Sequence, residues 1–186
     1  MRVLVAVCVV AVVLSGESCR NAPKPPVSAE QALADTAEQI IFQGHTLMTE
    51  RGVKRGEMFS DTIFVFSDQT HFVLRRVRAT FNTETGAPNG TLKGDRGVYD
   101  LRTQILEGFG NVVVTSTKGE RLTSPHLKYA QASNAISSDS AFTLVRADKS
   151  TSTGIGFTSD PNLNTFRCLR SCGGSTLVPL QGISKP

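Results

Sequence analysis

At 186 residues the chain has room for one domain of ordinary size with a leader and a tail. Ten Phe, sixteen Gly, no Trp and 39% hydrophobic content favour a turn-rich β fold over a helical bundle. The net charge of +4, with no long basic run, argues against nucleic-acid binding; it suits a surface that meets anionic lipid or phosphate, but is also common in proteins that meet neither.

The first element is a targeting segment. In "MRVLVAVCVVAVVLSGESC" one basic residue precedes an apolar run from Val3 to Leu14, followed by small and polar residues, so residues 1–18 read as a signal peptide. The run falls short of the ~20 apolar residues a membrane-spanning helix needs. Cys19 closes "LSGESC", which resembles the lipobox of bacterial lipoproteins and makes Cys19 a candidate for lipidation. Ser18 suits that motif, whereas Gly16 stands where Leu is usual, so plain secretion is the alternative.

Residues 19–37 read as a linker. "RNAPKPPV" (20–27) is a Pro-rich spacer that stays extended. Ser28 with Gln31 three residues on is a capping-box pattern, predicting one short helix within 28–39.

From Ile40 onward, β-prone runs of five to ten residues alternate with turns such as "ERG", "TKGE" and "QASN", which predicts an all-β sheet or sandwich over residues 38–170. Tyr99 and Val112, Tyr129 and Phe142, and Phe64 and Val77 share one spacing, and the units recur every 30 to 35 residues. Such paired strands bury their faces only by stacking on the next pair. Residues 171–186 read as a flexible tail.

Few residues suggest chemistry. His45, His71 and His126 are scattered with no nucleophile or carboxylate beside them in sequence, so no catalytic group, metal site or cofactor is expected. "GIGF" at 154–157 is too short for a dinucleotide loop. Cys168 and Cys172 read as a short-loop disulfide in an oxidising compartment, with two free thiols as the alternative. Arg75, Arg76 and Arg78 form a basic cluster that either meets phosphates or is a solvated strand face.

Tyr99-Asp100, "GNVVV" (110–114), the turn at Gly119 and "LTSPHLKY" (122–129) together resemble the OstA-like β-jellyroll shared by the lipopolysaccharide-export proteins LptC, LptA and the N-terminal domain of LptD. The layout is most similar to the LptC family, and the resemblance covers about residues 38–170. It implies a single all-β jellyroll that shields lipid acyl chains. The protein would be no enzyme: it would take lipopolysaccharide from an inner-membrane ABC transporter and pass it to an LptA-like bridge protein by edge-to-edge strand pairing. It would work in the periplasm as a membrane-anchored component. The LptC family usually keeps a transmembrane helix, which the short apolar run and Cys19 depart from, and Arg20 stands where inner-membrane lipoproteins commonly carry Asp.

Alternation along Phe64 and Phe66, and along Val112 and Val114, would then turn these side chains, with Phe142, toward the lipid. The competing expectation is that they fill a closed sandwich core, as in a structural or adhesive β-solenoid module. Within the family the alternative is an LptA-like oligomeric bridge.

Overall fold

Ser28 opens the described part of the chain as a helix cap. The computed structural model describes residues 28–67 and 70–175, so the leader, Cys19, the Pro-rich spacer and the last residues of the expected tail lie outside it. Gln31 N–H donates to Ser28 Oγ (3.2 Å) and Ser28 N–H donates to Gln31 Oε1 (3.3 Å), the reciprocal capping box that starts helix α1 (Ala29–Thr36).

Nine strands follow: β1 (Gln39–Glu50), β2 (Val53–Val65), β3 (His71–Asn82), β4 (Pro88–Asp100), β5 (Ile105–Thr115), β6 (Arg121–Ala130), β7 (Ala135–Val145), β8 (Thr151–Ser159) and β9 (Arg167–Ser175). They form one antiparallel sheet in sequence order, so β1 and β9 are its two edges. This is the expected all-β jellyroll of stacked antiparallel pairs. Several connections are short turns held locally by polar side chains. Asp100 Oδ1 accepts from Arg102 N and Thr103 N (both 2.8 Å), and Ser116 Oγ accepts from Lys118 N (3.3 Å) and Glu120 N (3.1 Å).

A crease crosses the sheet at mid-strand. Pairing register slips between Lys93 and Arg96, Phe109 and Val112, Thr123 and Lys128, Ser138 and Ala141, and Thr153 and Ile155. Gln43, Arg76, Gly110, Asn111, Gly156 and Ser171 take positive φ along the same line. Bulges of this kind bend strands and let one sheet fold over itself.

The crease also resets side-chain alternation. On β2 the residues that reach the core are Met58 before it, then Ile63 and Val65 after it, an odd spacing that marks the change of phase. On β6 the buried residues are Leu122 and Ser124, then Leu127 and Tyr129. Both halves of each strand thereby present apolar side chains to one shared core. The halves meet face to face where Phe81 of β3 and Tyr129 of β6 bring ring centroids to 4.2 Å.

Bending a ladder frees backbone groups that burial would leave unpaired. Buried serines on the crease take them up. Ser60 Oγ reaches Thr62 O (2.8 Å) and Arg75 O (2.6 Å) and accepts from Arg75 N (3.1 Å). Ser124 Oγ reaches His126 O (2.8 Å) and Ala141 O (3.0 Å), and Ser138 Oγ donates to His126 O (2.7 Å).

The repeat is clearest in the β4–β5 and β6–β7 pairs. Leu92 and Leu122, Tyr99 and Tyr129, Leu106 and Ile136, and Val112 and Phe142 occupy matching buried places about thirty residues apart. Phe64, though buried, lies outside the core cluster that holds Val77 and so stands apart from this series. The domain end at 170 is also corrected, because β9 continues through Ser175. Its ladder to β8 resumes at Gly173 and Gly174, beyond the bend at Ser171.

Candidate lipid-binding face and sheet edges

Of the five apolar residues expected to line one face, the fold brings three together. Val112 and Val114 of β5 and Phe142 of β7 are all buried in the core. Phe142 meets Phe157 and Phe166 edge-on, with centroids 5.5 and 5.1 Å away.

Phe64 faces the other way, which corrects the alternation expected of it. Ile63 and Val65 join the core cluster, whereas Phe64, itself only 4% exposed, lies outside that cluster beside its register partners Ile40 and Val73. Phe66 lies just beyond β2 and stacks on His71, centroids 5.3 Å apart. Strict period-two reading along Phe64 and Phe66 fails because the core-facing phase changes between Met58 and Ile63.

The inner face reaches solvent at β1. Ile41 is 43% exposed, although its register partner Ile63 on β2 is only 4% exposed. Sequence reasoning missed Ile41. The signal was "IIF" at 40–42, three consecutive apolar residues at the start of an edge strand where alternation would place a polar one. Ile40 and Phe42 are exposed as well.

The opposite edge is held differently. Apart from Cys168, β9 is exposed along its length. Cys168 packs against the core and is disulfide-bonded to Cys172 across the bend at Ser171 (Cα–Cα 6.0 Å). Gly154 on β8 makes room for this: a Cβ there would stand 2.6 Å from Cys168 Sγ.

The three histidines each stack on a phenylalanine, His45 on Phe59 (4.2 Å), His71 on Phe66 and His126 on Phe109 (4.8 Å). His45 and His126 also meet Glu57 (3.3 Å) and Glu107 (3.1 Å). Burial would raise the Glu107 carboxyl, but hydrogen bonds from His126 and Lys128 outweigh it and hold its pKa below the ordinary carboxylate range. These contacts brace neighbouring strands on the outer face. None places an acid or base beside a nucleophile. A groove of about 480 Å³ lies across β5–β7, lined by Val113, Thr123, Thr143 and Arg121 among others, and it holds no such pairing either.

The basic cluster separates. Arg76 sits at positive φ on the crease and pairs with Asp61 (2.6 Å). Arg75 and Arg78 lie on the outer face with other partners across the ladder, Arg96 and Lys93.

Residues 3–172 match the family model described as "Lipopolysaccharide-assembly, LptC-related". No curated protein matches the chain. Among solved structures, one that matches is LptH from Pseudomonas aeruginosa, described as the LptA homologous periplasmic component of the conserved lipopolysaccharide transport device. The match has 12% identity, covers 70% of this chain and 88% of that one, and has a TM-score of 0.47.

Proposed function

The chain belongs to the LptC-related family of lipopolysaccharide-assembly proteins, and on that premise we propose that it carries lipopolysaccharide in the periplasm, between an inner-membrane ABC transporter and the next bridge protein. The observation that carries this reading is the exposure of the inner face at β1, where Ile41 opens to solvent beside buried Ile63. An acyl chain entering there would meet Ile63, a member of the buried apolar cluster, and burying the chain removes apolar surface from water at roughly 25 cal/mol per Å².

Handover needs an edge. β1 and β9 each have main-chain groups on one side that pair with no strand of this sheet, and a partner's strand adds there by main-chain hydrogen bonding. The role is carriage without bond making or breaking. Cys19 lipidation would fix the chain to a membrane, and labelling with palmitate, lost in Cys19→Ala, tests that directly.

A second reading, a structural module with a permanently closed core, has one observation in its favour: Val112, Val114 and Phe142 are all packed out of solvent contact. A photo-crosslinker at Ile41 in cells separates the two. The carrier reading expects lipopolysaccharide adducts from Ile41 and none from outward Thr91. Silence at both positions contradicts it.

A further inference from the structure

The outer face of β3 and β4 places like charges opposite one another. Arg75 is in register with Arg96, and Arg78 with Lys93. All four point away from the core, since their neighbours Leu74, Val77, Ala79, Leu92 and Gly97 are the buried ones. The two cation pairs lie three residues apart along β3, about 10 Å for a strand, one on each side of the crease.

None of the four has an ion pair among the described residues. Arg75 Nε is buried without a hydrogen-bond partner. The nearby carboxylates are already engaged: Asp61 by Arg76 (2.6 Å), Asp95 by Asn111 (2.7 Å), Glu57 by Lys54 (2.9 Å) and Glu107 by His126 (3.1 Å) and Lys128 (3.2 Å). Like charges directly opposite on a ladder are destabilising. The free protein thus carries a repulsion that anions on this face would relieve.

Aromatic residues flank both rows. Phe59, 44% exposed, is in register with Arg78; Phe42, 73% exposed, pairs with Thr62, which in turn pairs with Arg75. Cations spread over two rows, edged by exposed rings, fit a diffuse layer of anionic headgroups with an apolar boundary beneath it.

We propose that the outer face of β1–β4 at the crease docks on an anionic lipid surface through Arg75, Arg78, Lys93 and Arg96, with Phe42 and Phe59 entering the headgroup boundary. The docking is independent of acyl chains in the core, so it can stand if the carrier reading falls, and the reverse.

The test is co-sedimentation of the full chain with phosphatidylcholine vesicles, with and without phosphatidylglycerol. Binding is expected to favour the anionic vesicles and to weaken with salt. Arg78→Gln with Lys93→Gln is expected to lower the anionic partition coefficient roughly 30-fold, while Arg102→Gln, in a remote turn, leaves it unchanged. The thermal midpoint of the double variant is expected to stay level or rise, because a repulsion has been removed. No preference of the wild-type chain for anionic vesicles would overturn the proposal. So would an unchanged partition of the double variant, or a lowered melting point, which would make these cations structural. Capture by polyglutamate but not by vesicles would also overturn it, in favour of an acidic protein partner.

Discussion

Tyr129 on β6 packs against Phe81 on β3 with ring centroids 4.2 Å apart, and this contact joins the two halves of the creased sheet through the middle of the core. Both side chains are fully buried. Phe81→Ala is expected to cost about 3–5 kcal/mol, the usual range for deleting a buried ring. Urea unfolding of the variant, followed by far-UV circular dichroism, measures it. A loss under 1 kcal/mol would mean that the halves are held together elsewhere.

The same burial sets an alkaline limit. Desolvation pushes the Tyr129 hydroxyl up to about 12 from 10.0, and also raises Tyr99. A folded state that keeps its tyrosine protons longer than the unfolded chain has stability that is complete below pH 10 and is lost as pH rises through about 12. Spectrophotometric titration is expected to show little tyrosinate at pH 10 in the folded protein, and half ionisation at that pH in urea. Normal titration of both tyrosines in the folded chain would contradict the buried placement.

The crease depends on its serines. Removing the Ser124 hydroxyl takes the side-chain donor from Ala141 O, while His126 O keeps Ser138 Oγ, so Ser124→Ala is expected to cost about 1 kcal/mol. Exposed Lys149→Ala is the control, expected within about 0.5 kcal/mol of wild type. Paired denaturation curves decide it. Equal midpoints for the two variants would show that the bend holds without the hydroxyl.

On the β9 edge the disulfide substitutes for burial. Closing so short a loop is worth about 2 kcal/mol, and Cys168→Ser with Cys172→Ser is expected to lose about that much. The loss should be local: amide exchange speeds up across β9 while β5 and β6 keep their protection. Uniform exchange in wild type and variant would show that β8 alone holds the edge.

Much of this architecture was legible because strands and turns leave short-range marks. "RLTSPHLKYA" coincides with β6, and Ser28 with Gln31 marked the helix start. Tyr99 and Tyr129 marked the repeat. The crease was not legible, since a bulge changes which face a residue takes without changing composition. Phe64, buried yet outside the core cluster, was therefore grouped with Val112 and Val114, and Ile63 and Val65 were passed over. The end of β9 was hidden for another reason: "RSCGG" has weak strand propensity, and a covalent bond and the ladder to β8 order it in place of side-chain burial. The pairing of Arg75 with Arg96 was equally out of reach, because register between distant segments is a property of the folded sheet.

Whether lipid enters between the layers is tested most directly by photo-crosslinkers placed in cells at Val112 and Phe142, which face the core, and at Val113 and Thr143, their outward neighbours on the same strands. Carriage predicts lipopolysaccharide adducts from Val112 and Phe142 and none from Val113 and Thr143. Adducts from the outward pair alone, or from none of the four, would contradict it and leave the closed-core module standing.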